Sequence, residues 1–175
     1  MGGPPIQNAW LRIERGRIAS VARRPIGPPQ DCIDLGDAII VPGLVNAHTH
    51  LEFSAALTPL DTRGGLPAWI ARVVASRRER PADGQGTVAA IRQGLVESAA
   101  AGVTTVGDIA TNAPPRAYAG PGPRVRVYRE GLGLRPAALD TVPRSIASDL
   151  DHLSAAGIAT AISPHAPYSV AAALG

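Results

Sequence analysis

Two histidines separated by one residue carry the clearest chemical signal in this chain. In residues 41–54, an apolar run breaks at a Pro-Gly pair, resumes as a short strand-like segment and ends at His48 and His50. Side chains of residues i and i+2 lie on the same face of a strand, so both imidazoles can reach one metal ion. Glu52 continues on that face if the strand runs on. An isolated His-x-His pair is more often a surface feature than a metal site, so the surrounding elements must decide.

Short strands dominate the first part of the chain, and helices alternate with strands after it. Alternating apolar residues around a turn at Arg15-Gly16 predict a hairpin over residues 10–22, and the run 38–41 predicts another strand. Apolar residues at helical spacing predict helices after the histidines. The predicted helices span 66–80, 87–101 and 142–156, and the predicted later strands span 44–47, 103–106, 124–128 and 158–162.

Each of the four later strands leads into polar residues. The first ends at the histidine pair, and the others end at Asp108, Glu130 and His165. Repeated units of helix end, glycine and strand, at 98–106 and 154–161, predict βα alternation with a parallel sheet. Active sites of such folds lie at the carboxyl ends of the strands. Strands must also end in something polar, and for Asp108 and Glu130 that plain structural explanation stays open.

Composition limits the class of protein. The 175 residues are 45% hydrophobic and 18% charged, which is typical of a folded domain. No apolar run approaches a membrane span, and the start lacks the features of a signal peptide. The single cysteine, Cys32, fits a reducing compartment, so we expect a cytoplasmic protein.

The net charge of +3 is weak evidence for nucleic-acid binding, because aromatic residues are only 3% of the chain. The densest basic cluster, at 77–80, ends a predicted helix, where cations complement the helix dipole. We therefore expect neither a nucleic acid nor a membrane as partner, and a small molecule as substrate.

Several segments together resemble the amidohydrolase superfamily. Residues 41–54 are similar to its metal-binding signature, and the β segments at 14–21 and 33–36 resemble its amino-terminal β-sandwich. Residues 101–108 resemble its second barrel strand. Residues 163–170, Ser-Pro-His-Ala-Pro-Tyr-Ser-Val, resemble the fourth-strand motif of the subgroup of triazine hydrolases and guanine, cytosine and adenosine-type deaminases. The Leu-Glu-Phe-Ser ending after the histidines is most similar to aminofutalosine deaminase-like members.

The resemblance implies an α/β fold: the first half of a (β/α)8 TIM-type barrel over residues 43–175, preceded by part of a small β-sandwich over residues 1–42. It implies one divalent ion, zinc or alternatively iron, held by His48 and His50. It implies that His165 contacts substrate and that Trp69 and Glu130 contribute to the substrate pocket. Core packing of Trp69 on an amphipathic helix is the alternative for that residue.

The implied enzyme is a metal-dependent hydrolase of non-peptide C–N bonds, and the implied reaction is hydrolytic deamination of an aminated, purine-like or adenosine-like heterocycle by metal-activated water. Two alternatives remain. One is a ring amidase or imidazolone-type hydrolase, and the other is a degenerate, non-catalytic fragment.

The chain departs from the family pattern in length. A (β/α)8 barrel needs ~250 residues, and four barrel strands are predicted here. The catalytic residues are unknown, because the family's general acid/base is expected beyond residue 175. We expect the isolated chain to look truncated, to be inactive and to dissolve poorly, unless two copies pair as a homo-oligomer.

Overall fold

The computed structural model describes residues 3–24, 31–56, 58–79, 84–133 and 135–172. The chain divides into two compact units, Met1–Val41 and Pro42–Gly175. Among the described residues, no helix combines the length and the apolar character needed to cross a membrane.

The first unit contains the predicted hairpin. Strands β1 (Trp10–Glu14) and β2 (Arg17–Ala22) pair antiparallel. The turn between them uses left-handed backbone at Arg15 and Gly16, with φ of 51° and 73°. Two such residues in a row are typical of the tight turns that match the twist of a hairpin.

The predicted strand at 38–41 is wrong, because the structure has no strand there. Ile39 is 89% exposed. A run of apolar residues forms a strand only where a neighbouring strand takes its backbone hydrogen bonds, and no strand of the described chain does so here. The prolines and glycine of residues 25–29 predict a loop, and these residues lie outside the described ones. The β-sandwich stays a prediction.

The second unit is built on a parallel sheet with strand order β3-β4-β5-β6. All three neighbouring pairs are parallel, which confirms the predicted α/β class. The closed barrel stays a prediction. The strands are β3 (Leu44–Thr49), β4 (Val103–Ala110), β5 (Arg124–Gly131) and β6 (Ala159–Pro164), and the helices are α1 (Gly65–Arg78), α2 (Gln85–Ala100) and α3 (Pro136–Ala155). Short 3-10 helices lie at Leu51–Phe53 and Pro115–Tyr118.

The core lies where α2 and α3 cover the two central strands. Val106 on β4 and Val127 on β5 are completely buried. Around Val106, the cluster comprises Leu51, Val88, Ile91 and Ala117, and around Val127 it comprises Ala110, Ala113 and Leu153. The two outer strands are less covered: Val45 on β3 is 66% exposed and Ile162 on β6 is 56% exposed. The central strands are therefore the best-covered part of the sheet.

Several boundaries differ from the predicted ones. Strands β4 and β5 run on through Asp108 and Glu130, which the sequence placed at the strand ends. Helix α3 begins at Pro136 and continues through Pro143, although an interior proline removes one helical hydrogen bond. Helix α1, which the apolar spacing predicted, has no fully buried residue.

Candidate functional site

The histidine pair lies at the carboxyl end of β3. The two ring centroids are 5.5 Å apart and the rings are nearly perpendicular, at 74°. His48 is exposed and His50 is half-buried. The Nδ1 atom of His50 is buried and has no hydrogen-bond partner in the described structure. A buried imidazole nitrogen without a partner is costly, and binding an ion is one way to satisfy such a group.

A metal ion fits this pair as half of a site. Imidazole nitrogens are common ligands for zinc and for iron, and adjacent rings on one strand end can share an ion. A catalytic zinc normally has three protein ligands and one open position. Within the described residues, no three His, Cys, Asp or Glu side chains converge closely enough to hold an ion. The pair would therefore supply two ligands of such a site, and the described residues do not bring a third beside them.

Asp108 fixes the 3-10 helix at Leu51–Phe53, which immediately follows His50. One carboxylate oxygen accepts the Leu51 backbone N–H at 2.9 Å, and the other accepts the Tyr118 hydroxyl at 2.7 Å. Asp108 is 1% exposed. Burial raises the pKa of Asp108, and the bonds from Leu51 and Tyr118 oppose this shift. The Asp108 carboxylate is thus a scaffold for the residues beside the histidine pair.

Tyr118 was not anticipated from the sequence. Burial raises the pKa of its phenol strongly, and the Asp108 carboxylate raises it further. The phenol therefore stays protonated and keeps donating to Asp108. Its signal in the sequence is slight, because Tyr118 lies in a short turn, Pro115–Tyr118, without periodic apolar spacing.

The sequence suggested that Glu52 would share the strand face of the histidines if the strand continued. The structure places it elsewhere. Strand β3 ends at Thr49, and Glu52 lies in the following 3-10 helix. Its buried carboxylate pairs with Arg77 at 2.8 Å and accepts the Thr111 hydroxyl at 3.0 and 3.2 Å. The Arg77 guanidinium also lies 4.8 Å from the Phe53 ring centroid, a cation–π geometry. Arg77 thus holds α1 against the segment after the histidines, which is more than the dipole role predicted for it.

Glycine at position 94 lets α2 approach this same segment closely. A methyl group there would overlap the Ser54 hydroxyl and lie 2.9 Å from Leu51 Cδ2. The residues that follow His50 are therefore held from three directions, by β4, α1 and α2.

A second polar group lies at the carboxyl ends of β5 and β6. The Glu130 carboxylate, which is almost fully buried, lies 3.9 Å from Nε2 of His165. The other ring nitrogen of His165, Nδ1, is 2.5 Å from the Ser169 hydroxyl. Glu130 also lines a cavity of about 190 Å³ together with Thr111 and Arg129. Two predicted substrate residues are thus neighbours at one edge of the sheet.

Arg129, beside Glu130, has a structural task. It pairs with Asp149 of α3 at 2.7 Å and donates to the Ala110 carbonyl at 2.7 Å. A buried arginine held on both sides attaches α3 to the sheet. The alternation of β5 places Arg129 toward α3 and Glu130 toward the opposite face.

The remaining predicted residue, Trp69, lies on α1 and is 37% exposed. Its role in the substrate pocket stays a prediction, and core packing is not what the structure shows. The sequence places His152 on the polar side of a predicted helix, as a surface residue, and the structure has it exposed on α3.

Comparison with known proteins shows what the chain is similar to. Residues 39–171 match the model of the amidohydrolase family. Two relatives are named 5-methylthioadenosine/S-adenosylhomocysteine deaminase. The one from Pyrococcus furiosus is 34% identical over 55% of this chain and 23% of its own length, and the one from Halobacterium salinarum is 32% identical over 58% and 22%.

A third relative, imidazolonepropionase from Thermoplasma volcanium, is 42% identical over 48 residues, which are 27% of this chain and 12% of that protein. The matched regions thus span less than a quarter of the length of each of these curated relatives.

Proposed function

This chain belongs to the amidohydrolase family, since the family model matches residues 39–171, and we propose that it contributes to a metal-dependent hydrolase acting on non-peptide C–N bonds. The proposed reaction is hydrolytic deamination of an aminated, purine-like heterocycle. The observation that carries the proposal is the histidine pair at the end of β3, with a buried ring nitrogen of His50 that lacks a partner. The two relatives named as adenosine-type deaminases support the choice of substrate class.

His48 and His50 would hold the ion, which we expect to be zinc and alternatively iron. A divalent ion at this position supplies the Lewis acidity that makes water a nucleophile near neutral pH. Asp108, Glu52 and Arg77 keep the residues after His50 in place, and the imidazoles are thereby presented in a fixed arrangement. His165 and Glu130 would contact the substrate from the neighbouring strand ends, and Trp69 would wall the pocket.

Metal binding by the 175-residue chain is the direct test. We expect Co²⁺ or Zn²⁺, followed by visible absorption or by competition with a chromophoric chelator, to bind weakly, because two imidazoles are fewer than the three ligands of a catalytic site. Replacing both histidines, H48A/H50A, should abolish this binding. His152→Ala on the exposed face of α3 is the matched control and should bind as the native chain does. Unchanged binding by H48A/H50A would contradict the proposed ligands.

Turnover is the second measurement. We expect no ammonia release from 5′-methylthioadenosine or adenosine by the zinc-loaded 175-residue chain. Stoichiometric zinc with turnover would overturn that expectation and would mean that the chain completes its own site. Genomic sequence past codon 175 distinguishes the enzyme from a degenerate product. A continuing frame with further histidines, a nearby glutamate and a strand-terminal aspartate supports the enzyme.

A ring amidase of the imidazolone type is the second candidate. The 48-residue match to a protein named imidazolonepropionase, at 42% identity, favours it. A protein that carries the continuing frame would separate the two reactions: ammonia release from the adenosine-type substrates supports the deaminase, and opening of an imidazolone ring supports the amidase.

A further inference from the structure

Ser169 sets the hydrogen-bonding character of His165. The Ser169 hydroxyl has one proton, and its geometry donates that proton to the Ala166 carbonyl at 3.0 Å. The same oxygen is 2.5 Å from Nδ1 of His165. Both contacts are hydrogen bonds only if Nδ1 carries a proton and Ser169 accepts it. In the neutral ring, Nε2 is then an acceptor with a free lone pair.

The backbone holds Ser169 firmly enough for this task. Its carbonyl accepts the Gly133 N–H at 3.0 Å, and the Gly133 carbonyl accepts the Ala171 N–H at 2.7 Å. The His165 N–H donates to the Gly131 carbonyl at 3.1 Å. The segment after β6 is therefore joined to the segment after β5 on both sides of the His165–Ser169 contact.

Two acceptors then face each other across a gap. Nε2 of His165 and Oε1 of Glu130 are 3.9 Å apart. Among the described residues, His165 is the one basic side chain within ion-pair distance of the Glu130 carboxylate. An acceptor beside a nearly buried carboxylate is unfavourable on its own, so a donor placed between the two groups would satisfy both of them.

The gap suits one nitrogen that bears at least two hydrogens. An atom at a hydrogen-bond distance of about 2.9 Å from both acceptors would see them at an angle of about 85°. The H–N–H angle of an amino or ammonium group is wider by a few tens of degrees, which leaves both hydrogen bonds within their usual range. A hydroxyl has one hydrogen and can satisfy one acceptor.

We propose that Glu130 and His165 form a recognition site for an amino or ammonium nitrogen of the substrate, and that Ser169 is the positioning residue that keeps Nε2 of His165 an acceptor. The proposal rests on the proposed function in that this nitrogen belongs to the substrate of the same enzyme. It adds the chemical group that the β5–β6 side of the pocket selects.

The first test is the tautomer of His165, read from the ¹⁵N resonances of histidine-labelled 175-residue chain at pH 8, with H165Q for assignment. The expected result is a proton on Nδ1. In S169A this proton should move to Nε2, and S169T, which keeps the hydroxyl, should restore the native spectrum. Ser154→Ala, exposed on α3, is the matched control. A native ring with its proton on Nε2, or an unchanged tautomer in S169A, would overturn the positioning role.

The second test compares benzylamine, which is an ammonium cation at pH 8, with benzyl alcohol, so the two probes differ in charge and in the number of hydrogens on one atom. The amine should shift the Nε2 resonance of His165 and bind about tenfold more tightly, as expected for a charge-assisted hydrogen bond. E130Q should remove most of this preference while keeping the fold. Equal binding of the two probes by the native chain would overturn the amino site, and so would a preference that E130Q leaves intact.

These measurements need neither a metal ion nor turnover, so they test the amino site independently of the proposed function. Amine selectivity without metal binding by His48 and His50 would remove the hydrolase proposal and leave the amino site. Metal binding without amine selectivity would do the reverse.

Discussion

The two halves of the strand-end surface treat their buried carboxylates in opposite ways. Beside β3 and β4, Asp108 and Glu52 are both engaged by protein donors: Leu51 and Tyr118 for the first, and Arg77 and Thr111 for the second. Beside β5 and β6, the Glu130 carboxylate faces an imidazole at 3.9 Å. A buried carboxylate that accepts hydrogen bonds from protein donors helps to hold the fold, whereas one without such donors can accept them from a ligand. The first pair therefore holds the segment after the histidines, whereas the Glu130 carboxylate has only the His165 imidazole within ion-pair distance among the described residues.

The largest effect should come from Asp108→Ala. It leaves the Leu51 N–H and the Tyr118 hydroxyl buried without an acceptor, and we expect the free energy of unfolding to fall by about 3 kcal/mol. Urea denaturation followed by circular dichroism measures this. Asp108→Asn, which keeps an acceptor, should lose less, and Asp151→Ala on the exposed face of α3 should lose almost nothing. An equal loss in D108A and D151A would mean that the buried contacts of Asp108 do not stabilise the fold.

Glu52→Gln should come next. It keeps the shape and removes the charge that pairs with Arg77, so we expect a loss of about 2 kcal/mol in the free energy of unfolding. Arg77→Met should give a similar loss, and the double variant should lose less than the sum of the two single variants, because the residues share one interaction. Additive losses would mean that the pair is not coupled.

The raised pKa of Tyr118 predicts that the stability of the fold depends on pH in the alkaline range. Burial and the Asp108 carboxylate raise the pKa of this phenol, so its contribution to stability is fully present below the ordinary tyrosine pKa of about 10 and is lost as pH rises above it. Absorbance at 295 nm should show one tyrosine that ionises only as the protein unfolds. Tyr118→Phe should remove that step and cost about 1 kcal/mol at neutral pH. Ionisation of all three tyrosines together, near pH 10, would contradict the arrangement.

Glu130→Gln should have the smallest effect on stability, and unlike the other variants it should not lower the free energy of unfolding. Among the described residues, His165 at 3.9 Å is the one basic side chain near this carboxylate, so removing its charge should leave the free energy of unfolding at pH 8 the same or raise it by up to about 1 kcal/mol. Glu52→Gln is the matched comparison, since the two glutamates are similarly buried. A loss in E130Q as large as that in E52Q would show that Glu130 is a scaffold residue too.

Periodicity and glycine positions were enough to predict the parallel sheet, its strand order along the chain and the approximate helices. They located His48, His50, Glu130 and His165 at one edge of that sheet, because the carboxyl ends of parallel strands meet there. The strand at 38–41 was wrong, since an apolar run does not specify whether a partner strand is present.

The contacts that hold the site could not be predicted in the same way. Leu51 meets Asp108 across a sequence separation of 57 residues, and Arg77 meets Glu52 across 25. No local pattern encodes such pairs, because they arise only when β3, β4 and α1 come together. Ser169 lies within the motif at residues 163–170, but its hydrogen bond to His165 depends on one loop conformation.

The order of the strands has a consequence for how the site forms. Strand β3 pairs with β4 across the longest sequence separation in the sheet, from Leu44 to Val103, whereas β4, β5 and β6 join through shorter connections. Closing a longer loop costs more chain entropy, and contacts between distant residues form slowly. We therefore expect β4 to β6 to assemble first and β3 to dock last. The histidines would then be organised at the end of folding, and amide exchange along β3 should be faster than along β5.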